Sequence, residues 1–151
     1  MPEFAWDNMI AEGPNAIVHD GTIYLIYSGS LVGIDYTTGL VTAPAGQDAD
    51  LTDPNVWTKL DYPLQKSGVY NEQWQLGTGH GMWSNDEDGN LIYVFHNAEY
   101  ENGRYGGRDA QVRRVHWSKE GMPILDMQAA EELNPDYADI TMKIVVSGNK
   151  G

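Results

Sequence analysis

Residues 15–28 read NAIVHDGTIYLIYS, and this stretch decides the fold class. The segments NAIVH (15–19) and TIYLIYS (22–28) are short and rich in β-branched and aromatic residues, and the pair Asp20-Gly21 separates them. An Asp-Gly pair between two such segments is a strong hairpin signal, because both central positions of the two-residue turn need a positive φ. The stretch therefore predicts a β-hairpin at the start of an antiparallel sheet.

The same composition recurs along the chain. Further strands are predicted at 79–85, 90–97, 110–117 and 140–146. The turn sequence DEDG (86–89) joins the first two of these into a second hairpin. One short helix is predicted around MQAAEEL (127–133), and PAGQDADLTDPNVW (44–57) predicts a loop with one helical turn. The pattern indicates an all-β protein, and the uneven strand spacing favours β-propeller blades over a β-sandwich.

The composition restricts the classes of partner. The formal net charge is −13 over 151 residues, so the chain repels phosphate backbones and anionic membrane surfaces, and we expect neither nucleic acid nor membrane as a partner. The absence of cysteine excludes disulfides, thiolate catalysis and zinc–thiolate sites. No apolar run is long enough for a transmembrane helix. The cellular compartment is left open.

Glu12 is the first candidate functional residue. Gly13 and Pro14 follow it directly, which fixes a turn and excludes a helix at the entrance of the first strand. Ile10 and Ala11 flank it on the other side, and partial desolvation favours the uncharged form of a carboxylic acid. A protonated carboxyl group is what a general acid in glycoside cleavage needs. The alternative is an ordinary surface carboxylate.

Two glycine-rich stretches carry the next candidates. In LGTGHGMW (76–83), glycines allow a close backbone approach beside His80, which is either a ligand-binding or a structural histidine. Arg108 follows Gly106-Gly107 and precedes a strand, so its guanidinium group could point into a cleft. The alternative for Arg108 is a surface ion pair with one of the many acidic residues.

In their order and spacing, these stretches resemble glycoside hydrolase family 43. The matching segments are 12–30, 39–64, 77–90 with 93–97, and 106–123. The resemblance covers residues 9 to about 125 and implies the later blades of a five-bladed β-propeller. At about 40–50 residues per blade, a chain of this length builds about three blades, which leaves the ring open. It also implies α-L-arabinofuranosidase activity, with β-xylosidase activity as the second choice.

The resemblance implies roles for individual residues. Glu12 matches the general acid, and Arg108 matches an arginine that lines the sugar pocket. His80 matches a histidine that helps to hold a cation or water near the central axis, so a structural Ca²⁺ near His80 is expected, although the reaction requires no cofactor. Trp83 and Trp74 are candidate sugar-stacking faces, with core packing as the equal alternative.

The resemblance also indicates what this chain lacks. An inverting glycosidase needs a second carboxylate, the general base, roughly 6.5–9.5 Å from the acid. No motif here supplies it, because Asp7 precedes Glu12 by five residues but lacks the expected context. His96, in YVFHN (93–97), departs from the family pattern and is interpreted as structural.

We therefore expect residues 1–151 to form one partial propeller domain that binds an arabinose- or xylose-containing saccharide. The base aspartate would lie outside this chain, which would pair with the N-terminal half of the same enzyme or with another copy of itself. Two alternatives stay open: a non-catalytic carbohydrate-binding or oligomerising β-module, and a purely structural fragment.

Overall fold

The computed structural model describes residues 3–128, 131 and 143–145. Within these residues the chain forms ten β-strands and one 3₁₀ turn. The strands are β1 (Ala11–His19), β2 (Thr22–Gly29), β3 (Thr37–Pro44), β4 (Thr58–Lys59), β5 (Gly68–Tyr70), β6 (Gln73–Asn85), β7 (Leu91–Glu101), β8 (Arg104–Arg114), β9 (His116–Trp117) and β10 (Pro123–Ile124). No helix in this part of the chain is long and apolar enough to span a membrane.

The strands form two four-stranded antiparallel sheets and one two-stranded ladder. The sheets have the orders β1-β2-β3-β4 and β5-β6-β7-β8, so each strand lies beside its neighbour in sequence, and β9 pairs with β10. Four-stranded sheets of this simple up-and-down order are the units of a β-propeller. The all-β prediction is therefore confirmed, with two full blades and a two-stranded piece among the described residues.

Both predicted hairpins are confirmed. Asp20 and Gly21 have φ values of 44° and 74°, as a two-residue turn of this kind requires, and His19 pairs with Thr22 across it. The second hairpin turns at 86–90, where the Asp86 carboxylate accepts hydrogen bonds from the backbone amides of Asp88 and Asn90.

Other boundaries differ from the prediction. Strand β6 begins at Gln73 rather than 79 and continues through its glycines, because two register shifts absorb them as bulges. The predicted strand 110–117 is divided, since β8 ends at Arg114 and β9 begins at His116. The predicted helical turn in 44–57 is present as the 3₁₀ turn Pro54–Val56. The predicted helix at 127–133 and strand at 140–146 fall mostly outside the described residues, and 143–145 are not in a strand.

The core lies between the two sheets. Tyr24 and Ile26 lie on one face of β2, and Tyr93 and Phe95 lie on one face of β7, because side chains two residues apart in a strand point the same way. The two pairs meet in the buried cluster between the sheets. The buried core cluster consists of Tyr24, Ile26, Leu40, Trp83, Tyr93, Phe95, Val115 and Leu125. Each large apolar side chain buried in this way contributes about 1.5–3 kcal/mol, so this cluster holds the two sheets together.

The opposite face of the second sheet carries an apolar row that we call the outer row, made of Met82, Val94 and Val112. These residues are neighbours on β6, β7 and β8, because Val94 pairs with both of the others. Met82 is 52% exposed and Val112 is 58% exposed. The second sheet is thus covered on one face and open on the other within the described part of the chain.

Candidate active site

An irregularity in β1 positions Glu12. The pairing of β1 with β2 shifts register between Glu12 and Asn15, and Gly13 takes a φ of 62° there. A Cβ atom at Gly13 would lie 3.2 Å from Nε2 of His80, so glycine allows the two strands to approach closely. Glu12 is therefore placed beside His80, and its side chain is half-buried, with 42% exposed.

A second irregularity, in β6, positions His80. The bulged segment gives His80 a φ of 50°, which is uncommon for a residue other than glycine. The His80 backbone amide donates a hydrogen bond of 2.7 Å to the Ser28 hydroxyl, which ties this segment to β2. The neighbouring Gly79 makes room for Tyr36, since a Cβ atom there would lie 2.4 Å from Cε1 of that ring.

Tyr36 joins Glu12 to His80. Its hydroxyl donates a hydrogen bond of 2.7 Å to Oε1 of Glu12 and lies 3.2 Å from Nδ1 of His80. The same carboxylate oxygen lies 3.8 Å from Nδ1 of His80. Tyr36 is fully buried. It follows Gly33-Ile34-Asp35 and belongs to no recognisable motif, so the sequence did not indicate it as a site residue.

Burial raises the pKa of Tyr36 to about 12. The hydrogen bond with Ser28 and the positive charge of Arg108 act in the opposite direction, and the hydrogen bond and negative charge of Glu12 add to the increase. The Tyr36 hydroxyl is therefore protonated throughout the neutral range and is available as a donor to Glu12.

His96 lies on the other side of the Tyr36 ring. The two rings stack with centroids 5.5 Å apart and an interplanar angle of 17°. Burial lowers the pKa of His96, and the nearby positive charge of Arg108 lowers it further. His96 is thus held in its neutral form near pH 7. The sequence indicated only a structural role, and its contact with Tyr36 places it at the site.

Arg108 shares a shallow hollow of about 360 Å³ with His80. The hollow is lined by His80, Met82, Val94, Phe95, His96, Arg108, Asp109 and Ala110. Nε of Arg108 donates a hydrogen bond of 2.7 Å to the Tyr105 hydroxyl, and the guanidinium group lies 5.8 Å from the centre of that ring. Within the described residues Arg108 forms no ion pair, so the surface ion pair considered as its alternative is not present there.

The two tryptophans have different environments. Trp83 is 7% exposed, packs against Tyr93 and donates from its indole nitrogen to the Tyr24 carbonyl oxygen, so it belongs to the core. The prediction that Trp83 offers a sugar-stacking face is therefore wrong, because the strand register directs this ring between the sheets. Trp74 is 70% exposed on β6, outside the set of described residues that line the hollow.

Asp7 has a structural environment. Its carboxylate is buried, lies 2.7 Å from Nζ of Lys59 and accepts hydrogen bonds from the backbone amides of Glu3 and Phe4. Burial alone would raise the pKa of Asp7, but these hydrogen bonds and the positive charge of Lys59 outweigh it, so the pKa is lowered. An acid with its oxygens already engaged is poorly suited to act as a general base.

A Ca²⁺ ion beside His80 stays a prediction. Ca²⁺ takes six to eight oxygen ligands, and imidazole nitrogen is not one of them. Among the described residues no group of three or more His, Asp or Glu side chains could hold a metal ion. These residues do not form a calcium site by themselves, and any ion here would need water or oxygen atoms from elsewhere.

Two up-and-down sheets packed face to face define part of a β-propeller, and a half-buried carboxylate lies at the entrance of a strand in the first of these sheets. A family profile described as Glycosyl hydrolases family 43 matches residues 3–123. The chain therefore belongs to glycosyl hydrolase family 43, and the resemblance deduced from the sequence is confirmed.

Several proteins similar to this chain are named alpha-L-arabinofuranosidases. The chain is 34% identical over 131 residues to alpha-L-arabinofuranosidase 43 of Humicola insolens, covering 81% of this chain and 26% of that protein. It is 30% identical over 145 residues to an extracellular exo-alpha-(1->5)-L-arabinofuranosidase of Streptomyces avermitilis, covering 89% of this chain and 29% of that protein. It superposes on an alpha-L-arabinofuranosidase from Lactobacillus brevis with a TM-score of 0.71 and 30% identity, covering 81% of this chain and 39% of that one. The chain thus spans less than a third of the length of these two curated relatives.

Proposed function

We propose that this chain is the acid-bearing part of an inverting glycoside hydrolase that releases arabinose, with Glu12 as the general acid. One observation carries the proposal: the half-exposed Glu12 carboxylate is held at Oε1 by the Tyr36 hydroxyl, beside His80 at the edge of the hollow. Family membership and the arabinofuranosidase names of the relatives support the substrate class. Xylose-containing saccharides are the second choice.

The chemistry divides between this chain and its partner. Protonated Glu12 donates its proton to the glycosidic oxygen as the bond to the sugar carbon breaks. A general base on the opposite face of the sugar removes a proton from the attacking water, and the configuration at that carbon inverts. The Asp7 carboxylate is engaged by Lys59, which supports a base supplied from outside this chain.

Arg108 is the proposed sugar contact. Its guanidinium group is exposed beside the hollow, and Tyr105 already accepts the hydrogen bond from its Nε. The remaining N–H groups of a guanidinium form a planar fork that suits two neighbouring sugar hydroxyls. Asp109 also borders the hollow, so it is the carboxylate of this chain to test as an alternative to a general base from outside it.

The outer row is the proposed contact with the rest of the propeller. Met82 and Val112 are more than half exposed on one face of a sheet whose other face is the core. The Lactobacillus brevis structure is more than twice as long as its overlap with this chain, which leaves further blades to cover such a face. We propose that the remaining blades of the same enzyme cover this face at Val112 and border the hollow, which Met82 and Val94 also line. A second copy of this chain is the alternative outcome.

The decisive experiment compares this chain alone with this chain co-expressed with the upstream part of its parent enzyme. The substrate is 4-methylphenyl α-L-arabinofuranoside, because the departure of its poor leaving group depends on protonation by a general acid. We expect turnover only from the combination and a loss of about 10²–10⁴-fold in Glu12→Gln, the usual contribution of a general acid. The matched control is Glu87→Gln, which makes the same change at an exposed turn. Initial release of the β-anomer, observed by NMR, would support inversion.

Two outcomes would contradict this function. Turnover by the chain alone, abolished in Asp109→Asn, would locate the base within this chain. Turnover by the combination that is unaffected in Glu12→Gln would remove Glu12 from the reaction.

A non-catalytic carbohydrate-binding module is the second candidate function. The exposed Trp74 ring favours it, because an exposed indole face is a common platform for sugar stacking. Binding of arabino-oligosaccharides that persists in Glu12→Gln but disappears in Trp74→Ala would support this function over the first.

A further inference from the structure

The Tyr36 hydroxyl has one proton, and besides Ser28 it contacts the side chains of Glu12 and His80. Its oxygen lies 2.7 Å from Oε1 of Glu12 and 3.2 Å from Nδ1 of His80. A carboxylate oxygen only accepts hydrogen bonds unless it is protonated, so the proton of the hydroxyl belongs to the shorter contact, with Glu12. The contact with His80 is then a hydrogen bond only if Nδ1 carries a proton and donates it to the Tyr36 oxygen.

The Tyr36 ring is held in place on several sides. Its backbone amide donates a hydrogen bond of 3.1 Å to the Gly33 carbonyl oxygen, and its side chain is fully buried. One face stacks on His96, and the ring edge lies against Gly79, where any side chain would clash with it. The hydroxyl is therefore a fixed point, whereas Glu12 and His80 are each about half exposed.

We propose that Tyr36 is a positioning residue: the hydrogen-bonded series from His80 Nδ1–H through the Tyr36 hydroxyl to Glu12 Oε1 leaves Oε2 of Glu12 to deliver the proton. This inference rests on the proposed role of Glu12 as general acid. It predicts that this half-exposed carboxyl group keeps one orientation, whereas a free glutamate side chain has several rotamers available. The hydroxyl retains its proton across the neutral range, so the orientation persists in both charge states of Glu12.

The first test needs only this chain and no enzymatic activity. NMR scalar couplings of the Glu12 side chain report its rotamers, and two-bond ¹H–¹⁵N correlations report which nitrogen of neutral His80 carries the proton. We expect one Glu12 rotamer and the Nδ1–H tautomer in the native chain. Tyr36→Phe should give averaged Glu12 couplings and move the His80 proton to Nε2.

The matched control is Tyr24→Phe. It removes another partly buried tyrosine hydroxyl, which donates to the Gly121 carbonyl oxygen on the far side of the core. We expect it to leave both NMR signatures unchanged. Native couplings and the native tautomer in Tyr36→Phe would overturn the proposal, as would an Nε2–H tautomer in the unmodified chain.

The second test uses the chain combined with the upstream part of its parent enzyme. General-acid help matters for poor leaving groups and little for activated ones, so we compare 4-methylphenyl with 2,4-dinitrophenyl α-L-arabinofuranoside. We expect Tyr36→Phe to lower kcat about tenfold on the first substrate, part of the 10²–10⁴-fold that a general acid contributes, and less than twofold on the second. Equal losses on both substrates would indicate a merely structural role.

The two tests separate the failure of the inference from the failure of the proposed function. Altered NMR signatures together with an inactive combination would retain Tyr36 as the residue that orients Glu12 and reject the hydrolase function. Activity that depends on Glu12 but is indifferent to Tyr36→Phe on both substrates would reject the inference alone.

Discussion

Gly79→Ala is the most informative single substitution, because it tests the contact on which the arrangement of Tyr36 depends. A Cβ atom at this position would lie 2.4 Å from Cε1 and 2.5 Å from Cδ1 of the Tyr36 ring. Non-bonded carbon atoms prefer separations of about 3.5–4.0 Å, so the ring would have to move by roughly 1 Å. Tyr36 is fully buried and stacked on His96, so it cannot make this movement without disturbing its neighbours.

The magnitude follows from two contributions. Overpacking in a closely packed region costs about 1–3 kcal/mol. A weakened hydrogen bond from Tyr36 to the half-exposed Glu12 carboxylate adds about 1 kcal/mol. We therefore expect a loss of about 2–4 kcal/mol in the free energy of unfolding, which corresponds to a decrease in Tm of about 4–16 °C for a chain of this size.

The assay is urea and thermal unfolding followed by circular dichroism, with Gly46→Ala as the matched control. Nothing lies within 4 Å of a Cβ atom at Gly46, so that substitution should change the stability by no more than about 0.5 kcal/mol. A Gly79→Ala chain that unfolds at the same urea concentration as the native chain would refute the close contact between β6 and Tyr36. Unchanged Glu12 rotamers in that variant would refute the coupling between the contact and the site.

Three further predictions follow from other parts of the structure. Asp7→Asn should destabilise the chain by about 1.5–3 kcal/mol at neutral pH, because it removes the buried carboxylate charge that lies 2.7 Å from Nζ of Lys59, whereas the exposed Glu3 carboxylate lies at 3.5 Å. The pKa of Asp7 is lowered in the folded state, so its contribution to the free energy of unfolding is present above the unfolded value near 3.9 and is lost as the pH falls through the folded value. Below about pH 4 the variant should therefore lose less stability than the native chain. Trp83→Ala should cost about 3–5 kcal/mol in urea unfolding, whereas Trp74→Ala should stay within about 0.5 kcal/mol, and similar costs would contradict their different burial. Val112→Asp should leave the unfolding of the isolated chain nearly unchanged but abolish co-purification with the upstream part, and retained co-purification would exclude the outer row as the contact.

The site combines a rigid element with an accessible one. Tyr36 and Ser28 are fully or nearly fully buried, and Ser28 accepts the hydrogen bond from the His80 backbone amide. Glu12 and His80 project from these buried supports and are each about half exposed. The general-acid role proposed for Glu12 requires a side chain that reaches the substrate while keeping one orientation, and support from buried neighbours provides both.

Local signals in the sequence determined much of the fold. The Asp20-Gly21 turn needs a positive φ at two successive positions, and this requirement depends only on neighbouring residues. The DEDG turn is similarly local, because the Asp86 carboxylate binds backbone amides two and four residues ahead. The Gly-Pro pair after Glu12 likewise marked the place where the chain leaves regular strand pairing. Glu12, His80 and Arg108 were each chosen as candidate site residues from such local patterns.

Tertiary structure alone decided which residues surround Glu12 and which aromatic rings are covered. Tyr36 lies 24 residues from Glu12 and 44 from His80 along the chain, so no local pattern predicted that its hydroxyl would join them. For Trp83 and Trp74, strand alternation indicates only that successive side chains take opposite faces. The bulges in β6 shift that alternation, and the packing of the two sheets then determines which face is buried. A sequence records its local conformational preferences directly, but contacts between distant strands depend on how the whole chain packs.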